Sequence, residues 1–393
     1  MYDNNFSWGN IKAPVPLFDF HAKCMLFLAL LSRVLFAALA VMISLKTEQG
    51  FLVSPFVEVR SGDYDWYLLN SSESFTKLKE PFIFFFQGGS VQNWIISPED
   101  PGPVFPWLLN VLNYSKQPII LASIYLIASA LLVFGWVLYY RAREVSLWGQ
   151  LLLIAFPLML WYSIAPSTEL PMSIALFIFF CGALASRWRP YFGISLALAG
   201  FILMLLIRPN ALSLFPAILL VLFLNRDVMS SWRTAAIFVL VTSIYAYFVV
   251  YYAPYFFGVQ RAIPSLSYWG LLPQQYSEGL FPNLPFQLDQ LLSSGALITS
   301  KLLYASGLRP SYTDTSILFV CLRGMGGIFI LPGIFYCIYK GSWLERVLVL
   351  CFVVPLLFIV GQERYLLPIA PLLLLYGGIF WKDLYLFTRK SLC

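Results

Sequence analysis

Apolar segments of about membrane-spanning length recur along the whole chain, and this recurrence constrains the fold more than any single motif. A helix of roughly 20 apolar residues crosses the hydrocarbon core of a bilayer. Backbone polar groups inside the bilayer must be satisfied within the protein, which leaves helices or closed barrels as solutions. Segments of this kind fall near 25–45, 118–140, 147–165, 170–186, 191–207, 211–225, 234–255, 315–339, 347–361 and 365–381. With 60% hydrophobic and 11% charged residues, the composition agrees. The reading is an all-α polytopic membrane protein of about ten transmembrane helices, forming a single membrane domain over 1–393. The first segment is long and lacks a small-residue cleavage pattern, so it reads as a span rather than a cleaved signal.

The basic residues order these spans. Arg141 and Arg143, Arg187 and Arg189, Arg226 and Arg233, Lys340 and Arg346, and Lys382, Arg389 and Lys390 follow alternate segments. Positive short loops mark the cytoplasmic side, so both termini are expected there. The net charge of +6 then reflects topology rather than nucleic-acid binding. The outer side receives two long loops, 46–117 and 256–314, whose aromatic and Pro-Gly clusters suggest interfacial helices. The stretch 285–306, with Asp289 and Lys301, also reads as interfacial, and Phe82–Phe86 is too short to span. No sequence repeat is evident.

Several chemistries are excluded. A lone histidine, His21, removes His-rich zinc sites and Ser-His-Asp hydrolysis. No Walker A loop or dinucleotide-binding glycine pattern is present. Six cysteines, Cys24, Cys181, Cys321, Cys337, Cys351 and Cys393, lie in spans or on the inner side, so no outer disulfide framework is expected. No metal-ligand set is read, and the pattern does not require a divalent cation.

Ionisable residues in such a chain are functional candidates. Asp63 and Asp65 flank Tyr64 just beyond the first span. An Asp-x-Asp pair can hold a metal and a nucleotide-sugar diphosphate, but the outer face is not normally supplied with nucleotide sugars. The short outer loops add Glu169, Arg208, and Glu363-Arg364-Tyr365. Each also has a plain structural reading. Ser167 or Thr168 can cap a helix that Glu169 begins; Arg208-Pro209-Asn210 can be a tight turn with a snorkelling arginine; Glu363 and Arg364 can be solvated at the interface. Pro98-Glu99-Asp100-Pro101-Gly102-Pro103-Val104-Phe105-Pro106 reads as a rigid, non-helical path, either a structural turn or a strap beside Asp63 and Asp65. Arg33, near mid-membrane, is expected to face the bundle interior, and Arg323 lies closer to the outer surface.

Together these residues describe an outward-facing cavity of carboxylates and arginines under aromatic loops. Arginine stays charged and its fork matches phosphate oxygens. A carboxylate near an acceptor hydroxyl can take its proton as an anomeric carbon is attacked.

At these residues the chain resembles integral-membrane glycosyltransferases of the GT-C class, especially bacterial relatives of protein O-mannosyltransferases and of the lipid A aminoarabinose transferase. Gly62-Asp63-Tyr64-Asp65-Trp66-Tyr67 is similar to the acidic motif of the first outer loop. Pro101-Gly102-Pro103-Val104-Phe105-Pro106-Trp107 is similar to the Pro-Gly/aromatic-Pro motif that follows. Thr168-Glu169, Arg208-Pro209-Asn210 and Glu363-Arg364-Tyr365-Leu366-Leu367-Pro368 resemble later positions.

The resemblance implies a polyprenyl-phosphate sugar donor, an acceptor on the outer face and inversion at the anomeric carbon. It implies Asp63 or Asp65 as base, Arg208 and Arg364 toward the donor phosphate, and Glu169 toward sugar or acceptor. Glu363, Tyr365, Arg33 and Arg323 complete the candidate substrate-binding set. The Asp-Tyr-Asp order departs from the Asp-Glu often found in such relatives, so the choice between the two aspartates stays open. With no soluble domain after the tenth span, an envelope glycan or lipid-linked acceptor is expected rather than a protein. The expected compartment is a bacterial inner membrane. Asn70-Ser71-Ser72 and Asn113-Tyr114-Ser115 keep an endoplasmic-reticulum alternative. A transporter or flippase of a lipid-linked or small anionic substrate, and a non-catalytic subunit of a glycan-assembly complex, are the competing readings.

Overall fold

The computed structural model describes residues 19–46, 102–111, 118–163, 167–226, 231–262, 286–308, 317–358 and 363–392. These residues are nearly all helical, with no strand among them. In chain order the helices are α1 (Phe20–Lys46), α2 (Val104–Val111), α3 (Pro118–Ala142), α4 (Leu147–Ile154), α5 (Pro157–Trp161), α6 (Glu169–Ala185) and α7 (Pro190–Ile207). Then come a 3-10 segment (Pro209–Leu214), α8 (Phe215–Leu224), α9 (Ser231–Ala262), α10 (Phe286–Ala305), α11 (Ile317–Lys340) and α12 (Trp343–Phe358). A second 3-10 segment (Glu363–Ile369) leads into α13 (Ala370–Leu392).

Among the described residues, five stretches are long and apolar enough to cross a membrane: Phe20–Leu39, Ile120–Ala142, Pro190–Ile207, Trp232–Val249 and Tyr365–Arg389. Glu169–Ala185, Pro209–Leu224 and Gly324–Lys340 are shorter and also apolar. Within the described residues, each apolar segment read from the sequence carries helix. Both long loops contain helix as well, α2 in the first and α10 in the second.

Side-chain placement follows from an apolar surround. On α3, Ile120, Ile124, Ile127 and Leu131 are exposed, while Tyr125, Val133, Trp136 and Tyr140 are buried. The exposed stripe is thus as apolar as the buried one, an arrangement that water disfavours and lipid accepts. Exposed Trp148, Trp188, Trp232 and Trp343 sit at or beside helix starts near Arg143, Arg187, Arg233 and Arg346. Arg187 lies over Trp188, Arg233 over Trp232 and Arg346 over Trp343. Tryptophan and arginine together are typical of a membrane–water interface.

Two departures from the sequence reading have physical causes. The segment 147–165 is two helices, α4 and α5, separated at Ala155-Phe156. Pro157 opens α5 and lacks the N–H that would continue α4. The segment 211–225 begins in the 3-10 turn at Pro209, which has no N–H to donate.

A close pairing joins α6 to α7 through the turn 186–189. A Cβ added to Gly193 would lie 2.1 Å from the Ser186 N, and one added to Gly200 would lie 2.5 Å from the Phe179 N. Only glycine allows backbones this close, and small residues are the usual means of packing helices in lipid. The arms have 17 and 18 residues, so the hairpin returns the end of α7 to the level where α6 starts.

Candidate functional site

That hairpin builds the site. Glu169 is the first residue of α6, and Arg208 is the first residue past α7. Arg208 has extended backbone, φ −152° and ψ 146°, because Pro209 follows it. Its Nη2 lies 2.9 Å from the Glu169 Oε1. The glutamate side chain is 2% exposed and the arginine side chain 12%. The carboxylate is therefore enclosed, while the guanidinium reaches the edge of the protein.

Tyr365 comes from the second 3-10 segment, and the Arg208 guanidinium carbon lies 5.2 Å from its ring centroid. A guanidinium stacks well on an aromatic face, which fixes its plane. Gly102 approaches from a fourth direction. Its N–H donates to the Ile207 C=O at 3.0 Å. A Cβ there would lie 2.1 Å from the Leu206 O, so Gly102 seats directly on the end of α7, while Val104, Phe105 and Pro106, expected to be non-helical, begin α2 instead. Phe105 of α2 is fully buried beside it and anchors the turn.

The start of α6 departs from the expected cap. Thr168 occupies the N-cap position, but its backbone is helical, φ −74° and ψ −13°, and its side chain makes no capping bond. Capping side chains work from an extended backbone. The turn is held from outside instead: the Tyr125 hydroxyl of α3 donates to the Ser167 C=O at 2.8 Å.

Of the residues picked out from the sequence, the structure thus brings Glu169, Arg208, Tyr365 and Gly102 together. Asp63 and Asp65 lie outside the described residues. Glu363 and Arg364 open the 3-10 segment that carries Tyr365, and their side chains lie outside the described set, as does that of Arg323 on α11.

Arg33 is fully buried as expected and belongs to a separate cluster. It donates to Ser129 Oγ at 3.2 Å, to the Ala29 C=O at 3.1 Å, to Ser32 Oγ at 2.9 Å and to the Ile154 C=O at 3.2 Å. Ile154 ends α4, so Arg33 helps to hold the break before Pro157. Ser129 is one turn along α3 from Tyr125, which sets the two clusters roughly 6 Å apart along that helix.

Sequence reasoning missed three features. Lys301 on α10 is 1% exposed, where a charge on an interfacial helix would be expected to be solvated. Burial pushes its ammonium pKa down. The helix carrying it packs on the Tyr365 segment and on α12. Tyr125 was hidden within an apolar run. Glu345, at the opposite, basic end, gathers Tyr139 and Tyr376 hydroxyls at 2.6 and 2.9 Å and the Ser342 N–H at 2.8 Å. The signal there was legible: Ser342-Trp343-Leu344-Glu345 has the capping-box spacing.

A buried carboxylate and a stacked guanidinium can handle a hydroxyl and an oxyanion side by side. Among the described residues, no His, Cys, Asp and Glu group could hold a metal ion. No known protein family matches the chain, and neither the curated proteins nor the solved structures give a match.

Proposed function

We propose that the protein is a polytopic membrane glycosyltransferase that moves a sugar from a polyprenyl-phosphate donor to an envelope glycan or lipid-linked acceptor. The observation that carries this reading is the Glu169–Arg208 pair stacked on Tyr365, with the Pro-Gly turn seated against it. It lies at the Tyr125 end of α3, far from Arg141 and Arg143. In this reading all ten helical segments span the membrane. The tryptophan- and arginine-rich end faces the cytoplasm with both termini, and the site faces outward, in a bacterial inner membrane.

The chemistry follows from the residues. Arg208 and Arg364 hold the donor phosphate and stabilise the charge that grows on it. Asp63 or Asp65 takes the proton of the acceptor hydroxyl. The acceptor oxygen bonds to the anomeric carbon as the carbon–oxygen bond to phosphate breaks, and the polyprenyl phosphate leaves as the anion. Displacement from the opposite face inverts the anomeric centre. Glu169 accepts a hydrogen bond from sugar or acceptor, and Lys301 adds positive charge beside the Tyr365 segment.

The test is transfer of labelled sugar from polyprenyl-phosphate donors in membranes containing the protein. Asp63→Asn, Asp65→Asn and Arg208→Ala are compared with wild type. Loss of transfer in Arg208→Ala and in one aspartate variant supports the reading. Full transfer in all three variants overturns the assignment of residues. No transfer by wild type, together with uptake of an anionic or lipid-linked substrate, favours a transporter.

A further inference from the structure

Just before the first residue of α6 lie two hydroxyls that, among the described residues, no protein group uses. Ser167 Oγ and Thr168 Oγ1 are both enclosed and make no hydrogen bond, and Thr168 as a whole is fully buried. A buried polar group without a partner is destabilising, and native proteins leave few of them. The local geometry accounts for both. Thr168 has helical backbone, so its side chain cannot reach back to cap the helix. Its C=O already accepts from the Met172 N–H at 3.0 Å. The turn that would otherwise need Ser167 is held by Tyr125 through the Ser167 C=O. The helix start is thus secured without its two hydroxyls.

We infer that Ser167 and Thr168 form a subsite for a hydroxyl-rich group, the sugar of the donor, at the start of α6 beside Glu169 and Arg208. This inference rests on the proposed glycosyltransferase reading and adds the sugar-binding residues to it. The helix start alone favours an anion. Glu169, the first residue of the helix, opposes one there and leaves the anion to Arg208 at the exposed edge. A neutral polyol fits the remaining groups. Its hydroxyls both donate and accept, as do Ser167 and Thr168. Phosphate on Arg208 and sugar on the α6 turn then lie side by side, in the order in which they occur in a sugar phosphate.

The test uses the full-length protein in nanodiscs, titrated with farnesyl phosphate and with farnesyl-phosphoryl mannose, glucose and galactose. Wild type is expected to bind at least one sugar-bearing probe more tightly than farnesyl phosphate. Thr168→Val and Ser167→Ala each lower that preference about tenfold and leave farnesyl phosphate affinity unchanged. Thr168→Ser restores it.

Thermal unfolding supplies a second readout. Thr168→Val removes an unsatisfied hydroxyl without changing shape, so its Tm without ligand is equal to wild type or higher by a few degrees. A lower Tm with unchanged sugar preference makes Thr168 a structural residue and overturns the subsite. Retained preference in both variants also overturns it, while a loss of farnesyl phosphate binding in Arg208→Ala keeps the glycosyltransferase reading intact. Equal binding of all probes by wild type removes the subsite alone, and binding of none removes both.

Discussion

Arg208 Nη2 meets Glu169 Oε1 at 2.9 Å because two helices of nearly equal length form one close-packed hairpin. Each charge is placed by a largely apolar arm, and on α6 the Ser173 hydroxyl donates to the Glu169 C=O at 2.7 Å. The pair is thus a product of the α6–α7 packing at Gly193 and Gly200. The glutamate side chain is almost fully enclosed and the arginine side chain mostly so, which makes the arrangement costly to disturb.

Removing one partner should therefore be worse than removing both. Arg208→Ala strands a nearly fully buried carboxylate, and the expected loss is about 3–5 kcal/mol. Glu169→Gln keeps the shape, and the double variant Glu169→Gln/Arg208→Met should recover a large part of the loss. Reversible unfolding of the purified protein in mild detergent gives the cycle. If the double variant is as unstable as the sum of the singles, the two side chains are not coupled.

Gly102→Ala tests whether the Pro-Gly turn positions the arginine. The added methyl would sit 2.1 Å from the Leu206 O, and both atoms belong to constrained backbone. The turn must lift off α7, and its 3.0 Å bond to Ile207 must break. Binding of farnesyl phosphate is expected to fall at least as far as in Arg208→Lys, with helix content by circular dichroism unchanged. Unaltered binding would separate this turn from the site.

Much of the fold was legible because a bilayer allows few solutions. Apolar length located the helices, although it read 147–165 as one segment where Pro157 divides α4 from α5. Arg33 could be assigned to the interior from its depth alone. The site was legible only in part. Glu169, Arg208 and Tyr365 stood out as polar residues in short loops, yet nothing local told that Glu169 would pair with Arg208. That pairing depends on the depth of a hairpin crossing, which Gly193 and Gly200 set from a distance. Tyr125 could not be found at all, since a tyrosine in an apolar helix has no local signature of its partner. The Thr168 cap failed for a similar reason. The residue type suited the position, but Thr168 has helical backbone and the preceding carbonyl is held by Tyr125 instead.

Glu345 anchors the other end of the bundle. Its carboxylate accepts from the Ser342 N–H and from the Tyr139 and Tyr376 hydroxyls, and Arg143 lies 3.8 Å away. Glu345→Ala leaves three buried donors and a half-buried cation without their acceptor, with an expected cost of about 3–5 kcal/mol. Ser342→Ala removes only the hydroxyl half of the capping box and should cost about 1 kcal/mol. Donor binding in the surviving folded fraction should be unchanged in both, because this network lies at the opposite end from Arg208. A specific loss of binding would instead join the two ends functionally.

Asp19 supplies a pH-dependent contribution whose sign can be worked out. Its carboxylate receives two Arg141 N–H groups at 2.9 and 2.5 Å and the Ala22 N–H at 2.7 Å, capping α1. Arg141 foremost, then the Ala22 N–H, holds its pKa below the ordinary 3.8. A carboxyl whose pKa is lower in the folded state contributes its full stabilisation above the ordinary value. The contribution is lost as pH falls through the lowered one. Asp19→Asn keeps a cap acceptor but cannot attract Arg141 as an anion. The variant should melt below wild type at pH 7, by a margin that shrinks in high salt because the pair is partly exposed. Below pH 3.8 the two melting temperatures should converge as the wild-type carboxyl takes up its proton. Parallel melting curves across the whole acid range would show that the Arg141 contact contributes no charge-dependent stability.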